Sequence, residues 1–219
     1  MLCTKHTIAS ESFEYFEECH IATVGNQIWM LFESVDEPIE MKFHVMKTDT
    51  MELEVVNCKS LDIIRNTVVH IVSDKHFIYI VTSESHEKRE LYKFDTRTLH
   101  LEFVMRYEDT VESDTHVVII GNKMFQIIFD RDTRVITLCV HDLNSKMVER
   151  NEICILREDS DIDLVNNNGV LYSIENDRRN YELIVSRIVG EKMEEVSRLR
   201  SKHVYDVGEL KIFCFQKNF

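Results

Sequence analysis

The sequence predicts an all-β fold, a β-propeller of about five four-stranded blades, and two registers predict it. An aromatic residue inside an apolar run recurs at Trp29, Tyr79, Phe125, Tyr172 and Phe213, in steps of 50, 46, 47 and 41 residues. Repeats of about 40–50 residues holding several short strands are a propeller pattern. A second register keeps the same period. Lys47, Asp95, Asp142 and Arg187 fall in one column, Thr50, Thr98, Ser145 and Gly190 in another, and Glu54, Glu102, Glu149 and Glu194 in a third.

Each unit begins with a hairpin. Gly25-Asn26, Asp74-Lys75, Gly121-Asn122, Asn168-Gly169 and Gly208-Glu209 precede the aromatics and supply residues that tolerate positive φ. Apolar runs flank them, such as Val68–Val72 before a turn and Phe77–Val81 after it. The second run is apolar on both faces, as a strand between two packed layers should be. A second hairpin follows, clearest in Glu90–Glu102, with Asp95 and Thr98 placed to bond the amides of its turn. Its outer strand alternates, as in Leu99-His100-Leu101-Glu102. In the fourth unit Glu191–Val196 also fits a helical turn.

This places units over about residues 20–57, 67–105, 116–150 and 162–200, with a half unit at 203–219, all in one domain spanning 1–219. Part of the segment before His20, which includes Phe13–Phe16, is expected to close the half unit as its last strand. The alternative is a partial propeller, a piece of a larger ring.

The repeat resembles the kelch family. Glu90–Glu102 is similar to the second half of a kelch repeat, with an aromatic, an Asp and a Thr at comparable spacing. The family's double glycine is absent, and Leu53, Leu101, Val148 and Met193 stand where its tryptophan would be, so the resemblance is to a degenerate kelch-like propeller. It implies a protein-binding platform. A WD-type repeat fits less well, since no Trp-Asp pair occurs.

Composition limits the partners. Asp and Glu total 39 against 26 Lys and Arg, a net charge of −13. Nucleic-acid binding rests on basic side chains that neutralise phosphates, and an anionic membrane needs the same, so neither is expected. No apolar run approaches the roughly 18 residues of a membrane helix, and no signal segment opens the chain. Cys3, Cys19, Cys58, Cys139, Cys154 and Cys214 show no paired spacing and no Asn-x-Ser/Thr sequon occurs, which points to a reducing cytoplasmic or nuclear location.

No group of residues carries a catalytic, cofactor or metal pattern. Asp159-Ser160-Asp161-Ile162-Asp163 alternates like a calcium loop, but Leu164 and Val170 occupy the positions that need Gly and a bidentate Glu. His141-Asp142 are adjacent on a strand and point to opposite faces, and Asp142 shares the turn column with Asp95. His70 and His76 flank a turn, and His86-Glu87 lacks the second histidine of a zinc helix. The isolated glycines exclude phosphate loops. An oxidase-type enzyme on a kelch-like ring would need Tyr, His and Cys brought together, and no motif does so.

The expected function is therefore a non-catalytic, monomeric protein-interaction module with no cofactor. Its variable loops, Thr82–Glu90, Phe129–Arg134, Val104–His116 and Glu152–Asp163, carry specificity, and the binding face is unassigned. The acidic residues Glu158, Asp159 and Asp161 offer a first place to test it. The alternative is a truncated structural remnant with little retained binding.

Overall fold

A computed structural model describes residues 16–34, 41–56, 58–85, 88–108, 117–130, 132–190 and 192–200. The architecture is all-β, a β-propeller fold with, among the described residues, four four-stranded antiparallel blades, each with its strands in sequence order. Blade 1 holds β1 (Phe16–Val24), β2 (Gln27–Ser34), β3 (Met41–Lys47) and β4 (Leu53–Val56). Blade 2 holds β5 (Val68–Asp74), β6 (Phe77–Ser85), β7 (Lys88–Asp95) and β8 (His100–Glu108). Blade 3 holds β9 (Val117–Ile120), β10 (Lys123–Phe129), β11 (Val135–Asp142) and β12 (Val148–Ile155). Blade 4 holds β13 (Ser160–Asn167), β14 (Val170–Asp177), β15 (Glu182–Val189) and β16 (Lys192–Arg200). The chain divides into two compact units, Met1–Glu108 and Asp109–Phe219, so each unit contains one pair of blades.

The blade count corrects the expectation of about five. The half unit at 203–219 lies outside the described residues, as does the stretch before Phe16. Phe16 itself is not spent on a closing strand; it opens β1 and pairs with Ser34.

The first hairpins form where the turn dipeptides predict them. Val24 pairs with Gln27 around Gly25-Asn26, and Asn167 with Val170 around Asn168-Gly169. In blade 2 the turn is Lys75-His76, one residue later than the dipeptide suggests, because Asp74 still pairs with Phe77. Lys75 takes φ 58 there, a conformation usually left to glycine.

The second hairpins explain the Asp column. In blades 1, 2 and 3 the chain turns through 48–51, 96–99 and 143–146, with the last residue left-handed (Met51 φ 58, Leu99 φ 55, Lys146 φ 62). In each, the first residue of the turn donates its N–H to the preceding hairpin: Thr48 to Asn26 O (2.9 Å), Thr96 to His76 O (3.1 Å), Leu143 to Asn122 O (2.8 Å). Asp142 accepts the amides of Asn144 (3.0 Å) and Ser145 (2.8 Å), and Asp95 that of Arg97 (2.9 Å). Blade 4 breaks this rule. Tyr172 pairs with Arg187 and Val189 with Lys192, so the residue equivalent to Asp95 is Val189 and the sequence column containing Arg187 is two residues out. The cause is a shorter turn at 190–191. The segment that also fitted a helix is strand β16.

Three of the four outer strands, β8, β12 and β16, share a defect. Pairing shifts between Leu91 and Tyr92, between Ile136 and Thr137, and between Val185 and Ser186, so that Val104, Ile153 and Val196 are extra residues bulged out of β8, β12 and β16. Such bulges twist an edge strand away from flat pairing with another chain.

In the first unit the core between blades joins Trp29, Leu31, Phe43 and Val45 to Ile71, Ile78, Ile80 and Phe94. Trp29 meets Phe43 edge-on, with ring centroids 5.4 Å apart. β4 stops after four residues, and the link that follows, with a 3₁₀ helix at Lys59–Ile63, places Leu61 and Ile64 in the same core. In the second unit Ile127, Ile136 and Leu138 pack with Ile162, Leu164, Leu171 and Ile188.

Candidate functional site

The strongest grouping of chemistry-bearing side chains lies at one end of the second unit. There the β10–β11 turn (130–134), the β12–β13 link (156–159), the β14–β15 turn (178–181) and the end of β16 lie side by side. Local chemistry fixes the turns. Asp130 accepts the amides of Asp132 (2.9 Å) and Thr133 (3.1 Å), and the bonds from Thr133 hold its carboxyl below the usual range. Asp177 accepts the amide of Asn180 at 2.9 Å and its side-chain Nδ2 at 2.8 Å. Burial pushes the Asp177 carboxyl up, but the Asn180 bonds and the nearby Arg157 outweigh it and hold it low. Arg134 (φ 62) and Tyr181 (φ 55) close their turns in the left-handed region.

A charged network covers this scaffold. Glu182 is nearly fully buried and faces Asp177 across the β14–β15 pair. Its Oε2 accepts from Arg198 Nη1 at 2.7 Å, and its Oε1 from Arg200 Nε at 3.0 Å and Nη2 at 2.6 Å. Arg157 Nη1 lies 3.6 Å from Asp177 Oδ2 and 3.9 Å from Glu182 Oε2. Arg198 also pairs with Glu195. Further out, Arg179 pairs with Glu158, Arg178 with Asp161, and Arg134 Nη1 lies 3.8 Å from Glu158. Two large side chains stand exposed at this end: Ile155 at 71% and Tyr181 at 48%.

The first unit has a smaller counterpart. Glu90, buried on β7, accepts from Arg106 Nε (2.9 Å), Tyr92 OH (2.9 Å) and Asn66 Nδ2 (3.0 Å). Burial raises its carboxyl, and these donors more than offset that, leaving it below the usual value. Buried Glu33 accepts the Val68 amide at 3.0 Å, and Arg89 donates to Ser83 Oγ (2.5 Å) and Ser85 O (3.0 Å).

The residues singled out in the sequence scatter. His141 is buried with Nε2 3.1 Å from Gln126 Oε1, and burial, aided by Arg150, pushes it down to about 4. Asp142 is spent on its turn. His70 pairs in register with Val81, while His76 stacks on Phe77 at 3.9 Å; His86-Glu87 lies outside the described residues. Asp161 and Asp163 lie on strand β13. Cys19, Cys58, Cys139 and Cys154 are not joined in disulfides, and Cys3 and Cys214 lie outside the described residues. Among the described residues no group of three or more His, Cys, Asp or Glu could hold a metal ion, and no helix is long and apolar enough to cross a membrane.

Two loop expectations change. Most of Thr82–Glu90, Val104–Glu108 and Glu152–Ile155 is strand, so the loops are shorter than the sequence suggests. The acidic pair Glu158 and Asp161 is not a free negative patch, because arginines from the next turn neutralise it. Sequence reasoning misses Glu90 and Glu182 because their hydrogen-bonded arginine and asparagine partners lie 16 to 24 residues away, beyond any local pattern.

No protein-family model matches the chain, and no curated protein matches it in sequence. Solved structures do match. A GH43 glycoside hydrolase engineered to display endo-xylanase and exo-arabinofuranosidase activity shares 9% identity over 85% of this chain and 42% of its own, with a TM-score of 0.50. The acylaminoacyl peptidase of Pyrococcus horikoshii shares 11% identity over 86% of this chain and 33% of its own, with a TM-score of 0.49. The β-propeller domain of the Trilobed protease from Pyrococcus furiosus shares 12% over 84% and 58%, with a TM-score of 0.46. The chain thus spans between a third and three fifths of these solved chains. At such identities the likeness speaks to the fold alone.

Proposed function

We propose that this protein is a non-catalytic interaction module, and that the loop end of its second unit binds a protein partner. One observation carries the reading: exposed Tyr181 on the β14–β15 turn and Ile155 at the end of β12 lie beside Arg134, Arg178 and Arg179, with the turns fixed by buried or backbone-bonded carboxylates. Aromatic, arginine and aliphatic side chains presented on a rigid frame are the usual content of interface centres. The frame also limits the ordering entropy that binding costs.

The rest of the reading rests on charge and edges. The arginines at this end are matched by carboxylates in a chain of net charge −13, which favours a protein surface of mixed charge over nucleic acid or an anionic membrane. Bulges at Val104, Ile153 and Val196 favour a monomer. Among the described residues the buried carboxylates Glu90 and Glu182 are engaged in the architecture, which supports a non-catalytic reading. Cysteines not joined in disulfides favour a cytoplasmic setting, and the kelch-like turn of Glu90–Glu102 favours a binding platform.

The test is capture of a partner from native extract by the full chain and by Y181A and I155S. Both variants alter exposed side chains and should melt like the parent. Loss of the same partner from both supports the reading. Retention of that partner by both, with folding intact, refutes this face.

A further inference from the structure

We propose that the outward face of blade 4 is the seat of the chain's own segment 203–215. The inference stands on repeat position and is separate from the loop-end reading above. In each unit the face of the first blade that carries the aromatic column is covered by the next blade in the chain. In blade 1 this face presents Trp29, Leu31, Phe43 and Val45, all nearly inaccessible against blade 2. In blade 3 it presents Ile127, Ile136 and Leu138, equally buried against blade 4.

Register assigns the same positions in blade 4. Trp29 pairs with Val45 and Leu31 with Phe43; Tyr172 pairs with Arg187 and Ile174 with Val185 in the matching places. Leu183 corresponds to Ile136, since Asn176 pairs with Leu183 as Phe129 does with Ile136. The face is largely apolar, with Arg187 standing where blade 1 has Val45 and Asn176 where blade 3 has Phe129, yet Tyr172, Ile174, Leu183 and Val185 are only half-buried, with Val189 and Leu199 exposed beside them. Blade 4 meets blade 3 through its opposite face, which carries Ile162, Leu164, Leu171 and Ile188.

The occupant is named by chain order. Blade 4 is joined to blade 3 by the short link 156–159, and residues 201–219 come directly after β16. There Val204-Tyr205 and Leu210–Phe215 flank Gly208, the same apolar–turn–apolar pattern that opens every other unit. Apolar positions left half-exposed on a sheet face gain by burial against such a hairpin.

Hydrogen–deuterium exchange with mass spectrometry on the full chain tests this. Amides of 203–215 should exchange more slowly than in the same synthetic peptide alone. V185E should abolish that protection while β10 and β11 keep theirs, which separates loss of the seat from unfolding. L199E, at the exposed margin of the face, should weaken it in the same direction. Exchange of 203–215 at the free-peptide rate in the parent overturns the proposal. So does protection that survives both variants, or a parent that sediments as a dimer which V185E dissociates, since the face would then belong to a second copy.

Discussion

The two blade pairs solve the same seam differently. In the first, β4 ends after four residues, and the eleven-residue gap to β5 turns inward, so that Leu61 and Ile64 plug the space between blades. Cys58 and Ser60 tie that plug to the carbonyl of Leu99 at 3.2 Å each. In the second, β12 runs eight residues, the link is short, and only Leu156 turns into the core. The buried carboxylates show the same division. Glu90 is held by two neutral donors and one arginine, one of the neutral donors coming from the link residue Asn66. Glu182 is held by arginines alone, with Arg157 supplied by the link. Where the link is long it supplies packing and a neutral bond; where it is short it supplies charge. The charged solution places arginines at the surface, and this is one ground for proposing the loop end of the second unit as the interaction face.

Breaking the plug should have the largest effect. L61A removes a buried leucine side chain and should cost about 3 kcal/mol, within the usual range for such truncations. The single tryptophan, Trp29, sits in the same core and reports it by fluorescence during denaturant unfolding. L156A in the second unit should cost less if the short link depends on charge rather than packing.

Next comes E182A, which leaves Arg157, Arg198 and Arg200 facing one another. A loss on the order of 2–3 kcal/mol is expected, below the full range for breaking a buried ion pair because the arginine heads keep water on one side. E90Q should cost about 1–2 kcal/mol, since Asn66 and Tyr92 can still donate to an amide oxygen and exposed Arg106 can turn to solvent. Equal losses for the two would contradict the division between charged and neutral solutions.

The smallest effects are in pH. His141 binds its proton far less readily folded than unfolded, with its value pushed from 6.5 to about 4. The unfolded chain therefore takes up the proton first, so stability present above 6.5 is lost as pH falls toward 4. Glu90 has a folded value below its ordinary 4.5, so its contribution is intact above 4.5 and is lost only below it. Denaturant midpoints against pH should flatten in the first window for H141Q and in the second for E90Q.

Much of this was legible in the chain. Four hairpin turns fall at or within one residue of their dipeptides; in three of them glycine or asparagine supplies the positive φ locally, and in blade 2 Lys75 takes it. The Asp95 and Asp142 turns were legible for the same reason: their carboxylates bond amides two or three residues on. The fourth unit slipped by two because a shorter turn at 190–191 dropped the aspartate that marks the column. The seam was not legible at all. Leu61 and Ile64 look like any loop aliphatics, and the ion network joins Arg157, Asp177, Glu182 and Arg200 across strands that only the fold brings together.

The most direct test of the interaction face is hydrogen exchange of the full chain with and without a captured partner. The account predicts new protection at 130–134, 156–160 and 178–181, the loop end of the second unit. Protection confined to the opposite turns, 143–147 and 168–169, would contradict it.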